Sequence, residues 1–342
     1  MRSSLSTGYV VATAECDLDD LNHVGGKAVG LGRLIRAGQR VPNSFVVSSD
    51  AYLDYARTLT PDLEGSMPEA MVKEIAAGYT ALCEAQGTAR LAVAVRSSAT
   101  IEDSTEASCA GQFRTFLGAT GAEEVVREVE RCFMSAFEPH IDAYRSERNI
   151  GADDEGVAVI VQELVRARAS GVMFTRHPRT GDRSLVVIES SYGLGEAVVG
   201  GEVTPDLLEV NKITGDVHAR MLGSKAIEHD LAADGRSVET RAVDEERRGA
   251  WSISDPEIAA LLGVAGVLEQ EIGRGLDIEW AIGSTVGSEG AEELFMLQVR
   301  PITVDPRHAN AGVVVAPNGR VHNPIDVVLG RLARRDEAGA PR

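Results

Sequence analysis

Residues 275–301 constrain the fold of this chain most. They read GLDIEWAIG, then a glycine- and glutamate-rich connection, then ELFMLQVRP. Both ends alternate apolar and polar residues with a period of two, and GSTVGSEGAEE between them is turn chemistry, so the segment predicts a β-hairpin with an irregular loop. Residues two apart on a strand share a face. Asp277 and Glu279 therefore point one way and Ile278 and Trp280 the other, while on the second strand Gln298 and Arg300 share a face opposite Leu297 and Val299. Two carboxylates thus face an amide and a guanidinium. Such groups are costly to desolvate unless they are paired or serve a ligand. A hard divalent cation takes oxygen ligands, and a fixed Arg fork beside it suits phosphate oxygens. The face is suited to a metal-bound polyphosphate; the alternative is a cross-strand Glu–Arg pair on a solvated sheet face.

At 342 residues the chain exceeds one ordinary core, which predicts two domains or two lobes around a cleft. The longest apolar runs, GVAVIVQELV and RLAVAV, are strand-sized. No segment approaches the ~20 apolar residues of a membrane span, and no basic region followed by a long apolar run opens the chain, so a cytoplasmic protein is expected. Cys16, Cys83, Cys109 and Cys132 are widely spaced without a C-x-x-C pair, which fits reduced thiols packed as small hydrophobes. A formal net charge of −18 argues against a nucleic-acid or anionic-membrane surface. Any phosphate site must be local.

Early in the chain, NHVGGKAVGLG precedes an amphipathic helix through Ala37. A glycine pair ahead of a lysine at a helix start can present backbone N–H groups and the Lys27 ammonium to an anion. The alternative is a loop in which Gly25 and Gly26 let the helix pack closely. VPNSFVVSSDAYLDYA then reads as turn, strand and helix, with Ser49 or Asp50 as N-cap. Residues 61–86 read as a polar linker and a helix. The apolar strand LAVAVRSSA delivers Arg96 and two hydroxyls at its end, beside Glu102 and Asp103. An obligate cation placed there suits a site, with an ion pair to those acids as the alternative. ASCAGQFRTFLG follows, a small-residue loop containing Gly111 that could close over phosphates through backbone donors.

VGGKAVGL, the strand ending VRSSA, the segment EDSTEASCAGQFRTFLG and the later IEW and LQVRPIT resemble, in that order, the N-terminal nucleotide-binding region of phosphoenolpyruvate synthase and pyruvate phosphate dikinase. Rifampin phosphotransferase has a similar region. The resemblance spans about residues 20–304 and rests on several separated motifs in correct order.

A helix is expected over residues 125–148, with Val129, Cys132, Phe133 and Ala136 as core, and no role falls to His140. The apolar strand 157–165 ends in Gln162 and Glu163, which resemble the family's hinge where backbone and polar side chains meet adenine; a solvent-facing strand end is the alternative for Glu163. His177, in MFTRHP, resembles a connecting turn rather than a catalytic histidine. Residues 185–189 form a buried strand before SYGLGEAVVGG, which is similar to the family's GLGE segment. Asp206 begins a strand pair that turns at Thr214-Gly215-Asp216; Lys225 carries no assignable role. Residues 232–248 read as an exposed loop, and Asp255 as the cap of a helix running to Ile272.

The resemblance implies an α+β, two-lobed ATP-grasp fold with the nucleotide cleft between the lobes. Residues 1–165 would form the N-terminal lobe, 166–305 the C-terminal lobe with the metal and phosphate hairpin, and 306–342 a linker and tail. Carried onto this sequence, Lys27 and Arg96 hold phosphates of ATP, Glu279 and Gln298 bind Mg²⁺ with Asp277 as a further acidic ligand, and Arg300 neutralises charge on the transferring phosphoryl. The family's full-length members add a swivelling domain with a phosphorylatable histidine. That motif surrounds neither His308 nor His322, so an isolated ATP-handling module is expected. Its acceptor would be a histidine on a separate protein, or a small molecule phosphorylated or activated directly. A non-catalytic ATP-sensing role is the remaining alternative.

Overall fold

The computed structural model describes residues 8–60, 62, 64–99, 114–137, 156–232, 237–273, 275–285 and 291–302. It divides into two compact units. The first comprises Met1–Arg166, Leu231–Glu239 and Gly283–Arg300, and the second Ala167–Asp230, Thr240–Ile282 and Pro301–Arg342.

In the first unit, strands β1 (Val10–Ala12), β2 (Ser44–Val47), β3 (Val93–Ala99), β4 (Thr115–Ala119) and β5 (Val157–Glu163) form a sheet in the order β1-β2-β5-β3-β4. Neighbouring strands run antiparallel. β5 sits at the centre and is buried at every position, as its unbroken apolar run requires. One face of this sheet, carrying Val93, Val95, Val157, Val159 and Val161, packs into a core with α2 (Ser49–Ala56), α3 (Glu69–Ala85) and α4 (Ala122–Ser135). There Phe133 meets Tyr52 edge-on and stacks against Tyr55, with centroids 5.7 and 5.9 Å apart, within the range of favourable aromatic pairs. Cys83 and Cys132 are buried free thiols in this core, and Cys16 is a third, packing as expected; Cys109 lies outside the described residues.

α1 (Leu21–Arg36) covers the opposite face of β3 and is broken at Gly25, whose φ of 77° is left-handed. A Cβ on Gly25 would stand 2.1 Å from the Ser98 carbonyl oxygen, one on Gly30 2.4 Å from that of Val299, and one on Gly32 2.2 Å from that of Cys16. The glycines of VGGKAVGLG thus permit backbone-on-backbone packing.

In the second unit, β6 (Arg166–Phe174), β7 (Leu185–Tyr192), β8 (Asp206–Asn211) and β9 (Val217–Met221) follow β12 (Leu276–Ser284) in a sheet ordered β12-β6-β7-β8-β9, and β13 is Glu293–Pro301. Both strands read from residues 275–301 are therefore present. Next come the one-turn α5 (Glu196–Val199), the strand pair β10 (Ile227–Leu231) and β11 (Val238–Ala242), the one-turn α6 (Glu245–Arg248) and the long α7 (Asp255–Ile272).

Three local expectations are corrected. α2 begins at Ser49 with Ser48 preceding it and no side-chain cap, because the Ser49 hydroxyl donates instead to the Asn22 carbonyl at 2.8 Å. The cap of α7 is Ser254, joined to Glu257 in a reciprocal capping box, and Asp255 is the first helical residue. The stretch read as an exposed loop over 232–248 carries regular structure, since Val238–Ala242 pairs with β10 and Asp244 caps α6 by accepting from the Arg247 amide. Of the helix expected over 125–148, α4 extends to Ser135; His140 lies outside the described residues.

Candidate phosphate and metal site

Within the first unit, the residues singled out from sequence gather around α1. Alternation along β3 and β5 places Arg96 and Ser98 on the α1 side, with Arg96 opposite Ile160 and Gln162 opposite Ala94. The Ala28 amide donates to Ser98 Oγ at 3.3 Å, and Lys27 Nζ donates to the Ser97 carbonyl at 3.0 Å. Lys27 and Arg96 are both half-buried. Gly30 brings the same helix against the backbone of β13 at Val299, the residue between Gln298 and Arg300. Gln298 is buried and Arg300 half-buried, and the amide of Met296 donates to the Arg40 carbonyl at 2.8 Å. One glycine-faced helix thus fixes both the strand that carries Arg96 and the strand that carries Gln298 and Arg300.

Gln162 and Glu163 face opposite ways. Gln162 is buried on Arg96's side of the sheet with its Nε2 unpartnered among the described residues. Glu163 lies on the helical-core side, where Oε2 accepts from Gln86 Nε2 at 2.7 Å and from Asn43 Nδ2 at 3.4 Å. Gly111 lies outside the described residues.

In the second unit, β12 shows the alternation read from its sequence: Leu276, Ile278 and Trp280 are buried while Asp277 and Glu279 are half-buried between them. The side of the sheet each faces follows from Gly171, where an added Cβ would meet the Trp280 ring at 2.9 Å. Trp280 therefore lies on Gly171's side. Glu189 pairs directly with Val172, the next residue on β6, so its side chain is on the other side, together with Asp277 and Glu279. Glu189 is fully buried, and neither of its carboxylate oxygens has a hydrogen-bond partner among the described residues. Burial, and then the negative charge of Asp277, push its carboxyl up to about 7. Ser191, two residues along the same strand and also fully buried, has an unpartnered hydroxyl.

The four side chains named on this face, Asp277, Glu279, Glu189 and Ser191, are oxygen donors, which fits a hard cation. Among the described residues no three His, Cys, Asp or Glu side chains come together as a ready-made metal cage. Magnesium does not require one, because it commonly takes one or two carboxylates and completes its shell with water and phosphate oxygens.

Sequence reading passed over Glu189. The signal was a carboxylate in the apolar run LVVIESSY, a position where an unpaired acid is rare. Lys225, which had no role, is fully buried with Nζ 2.5 Å from Asp206 Oδ1. Asp206 also accepts from the Gly223 amide at 2.9 Å and from the Ser252 amide and hydroxyl at 2.9 and 2.8 Å. That network is satisfied and structural. His177 is likewise structural: its Nδ1 accepts from the amides of Arg179 and Thr180 at 3.2 and 3.3 Å, closing the turn after β6.

Residues 62–316 match the family model described as pyruvate phosphate dikinase, AMP/ATP-binding domain, and the chain belongs to that family. Curated relatives include a probable phosphoenolpyruvate synthase of Methanothermobacter thermautotrophicus, 40% identical over 86% of this chain and 46% of that protein. The phosphoenolpyruvate synthase of Pseudomonas aeruginosa is 36% identical over 87% of this chain and 42% of that protein. The rifampicin phosphotransferase of Streptomyces sviceus is 34% identical over 88% of this chain and 36% of that protein. The chain thus spans less than half the length of these relatives. Among solved structures, D-alanine–D-alanine ligase from Bacillus anthracis is similar at a TM-score of 0.34 and 8% identity, over 92% of this chain and 69% of that one. A likeness that slight carries no argument. No helix among the described residues is long and apolar enough to cross a membrane.

Proposed function

We propose that this chain is the ATP-handling module of a phosphotransferase: it binds Mg-ATP and passes a phosphoryl or pyrophosphoryl group to an acceptor histidine. That histidine would lie on a separate protein or on a further part of a longer chain. We read residues 1–165 and 166–305 as the two lobes of an ATP-grasp fold and 306–342 as linker and tail. The observation that carries the proposal is the role of α1, which fixes Lys27, the Arg96 strand and the Gln298–Arg300 strand by backbone contact in one unit of a family whose model is an AMP/ATP-binding domain.

When bound, ATP supplies the group to be transferred and Mg²⁺ neutralises charge on its phosphates. The chain's own residues then act by position and charge. Lys27 and Arg96 would hold phosphate oxygens, and Arg300 would neutralise charge on the transferring group. Glu279 and Gln298, with Asp277, would hold the cation. Gln162 and the backbone near Glu163 would meet the base. No protein nucleophile is required in this module, since orientation and preorganised charge supply the catalysis.

The rifampicin phosphotransferase among the relatives favours a second reading, direct phosphorylation of a small molecule. The test uses Glu279→Ala and Arg300→Ala in a coupled nucleotide assay. Both should abolish turnover while leaving the circular dichroism and unfolding curve of the wild type. Full activity in either variant rejects the site assignment.

A further inference from the structure

We infer that Glu189, with Ser191 beside it, supplies a further part of the divalent-cation site on the Asp277 and Glu279 face of the second sheet. The inference rests on the reading of Asp277 and Glu279 as cation ligands and extends it to two residues on a different strand.

A carboxylate that is fully buried and unpartnered at both oxygens is strongly unfavourable, and a buried polar group in that condition calls for a specific cause. Packing does not provide one. Val172 and Leu207, directly across from Glu189 on the two neighbouring strands, are apolar. Asp277 and Glu279 lie on the same face of this sheet as Glu189, and a cation held there would give the Glu189 oxygens the partner they lack among the described residues. Ser191 Oγ is an independent second observation: it is buried, unpartnered and on the same strand face two residues along. An oxygen-only set of this kind selects a hard divalent ion over zinc or copper, which favour nitrogen and sulfur.

The test uses the whole chain and the metal alone. Mn²⁺ is titrated into nucleotide-free protein at pH 8, and the unbound ion is followed by electron paramagnetic resonance. The wild type should bind Mn²⁺, and Glu189→Gln, which preserves size and shape, should weaken that binding by about ten-fold or more, with Ser191→Ala causing a smaller loss. Wild-type affinity within two-fold in Glu189→Gln, or no bound Mn²⁺ on the wild type at millimolar concentration, overturns the inference. Should Glu189→Gln fail to fold, Ser191→Ala alone decides, and unchanged affinity in it is then the overturning result. Glu279→Ala separates this inference from the reading beneath it. If that variant loses Mn²⁺ while Glu189→Gln keeps it, Glu189 alone is misassigned; if both keep it, the metal face itself is wrong.

Discussion

Substitution of Gly30 by alanine tests how packing in the first unit controls the chemistry. In an isolated helix this change is favourable, since alanine exceeds glycine by about 1 kcal/mol in a helix interior. Here the new Cβ would lie 2.4 Å from the Val299 carbonyl oxygen. Restoring a contact of 3.0 to 3.4 Å requires α1 and β13 to separate by roughly 0.6 to 1.0 Å, and both partners are backbone, so no side-chain rotation relieves the clash. The overpacking costs about 1 to 3 kcal/mol, which cancels or exceeds the gain in propensity. Functionally the effect is larger. Gln298 and Arg300 flank the displaced carbonyl, and a misplacement near 1 Å at a site that works by positioning costs on the order of 100-fold in rate. The assay is ATP turnover alongside urea unfolding, with Gly263→Ala as control. Gly263 lies in α7, where an added Cβ meets nothing within 4 Å, so that variant should gain up to about 1 kcal/mol of stability and keep its turnover. Wild-type turnover in a folded Gly30→Ala protein would refute the claim that α1 sets the position of Gln298 and Arg300.

Two further outcomes follow from buried charge. Lys225→Ala should destabilise the second unit by about 3 to 5 kcal/mol in urea unfolding, because it leaves Asp206 charged, buried and without its cation; a loss below about 1 kcal/mol would show that the amide and hydroxyl donors to Asp206 suffice. Glu189, with its carboxyl raised from 4.5 to about 7, holds a proton in the folded state that the unfolded chain releases. Its contribution to stability is therefore present below pH 4.5 and lost as pH rises to 7, by about 3 kcal/mol in total. In metal-free buffer the stability of Glu189→Gln relative to wild type should rise by most of that amount between pH 5 and pH 8. Parallel pH profiles for the two proteins would contradict it.

The strands of residues 275–301 were legible because a period-two alternation fixes which side chains share a face. β12 shows the same alternation in its burial. Other features depend on contacts far apart in sequence. VGGKAVGLG admitted both an anion-binding and a close-packing reading, and only the approach of Gly25 to Ser98 and of Gly30 to Val299 reveals how the glycines are used. Lys225 meets Asp206 and, through it, Ser252, three residues from separate segments whose meeting no local pattern encodes. Helix caps were misplaced by one position at Ser49 and Asp255 because several adjacent residues are competent and tertiary hydrogen bonds choose among them. Glu189 was overlooked for a different reason. Its strand reads as buried scaffold, and an acid within it signifies something only once its oxygens are found without partners.

The central claim, that this chain moves a phosphoryl group from ATP, is tested most directly by incubating it with Mg²⁺ and ATP labelled at the β-phosphate, with and without a lysate of its host. Protein-bound label and nucleotide products are followed together. The account predicts AMP formation with label on a histidine, stable to base and lost in acid, and no labelling with Arg300→Ala. ADP without labelled protein would replace the histidine relay with direct phosphorylation of a small acceptor. Absence of any ATP turnover, with and without the lysate, would contradict the account.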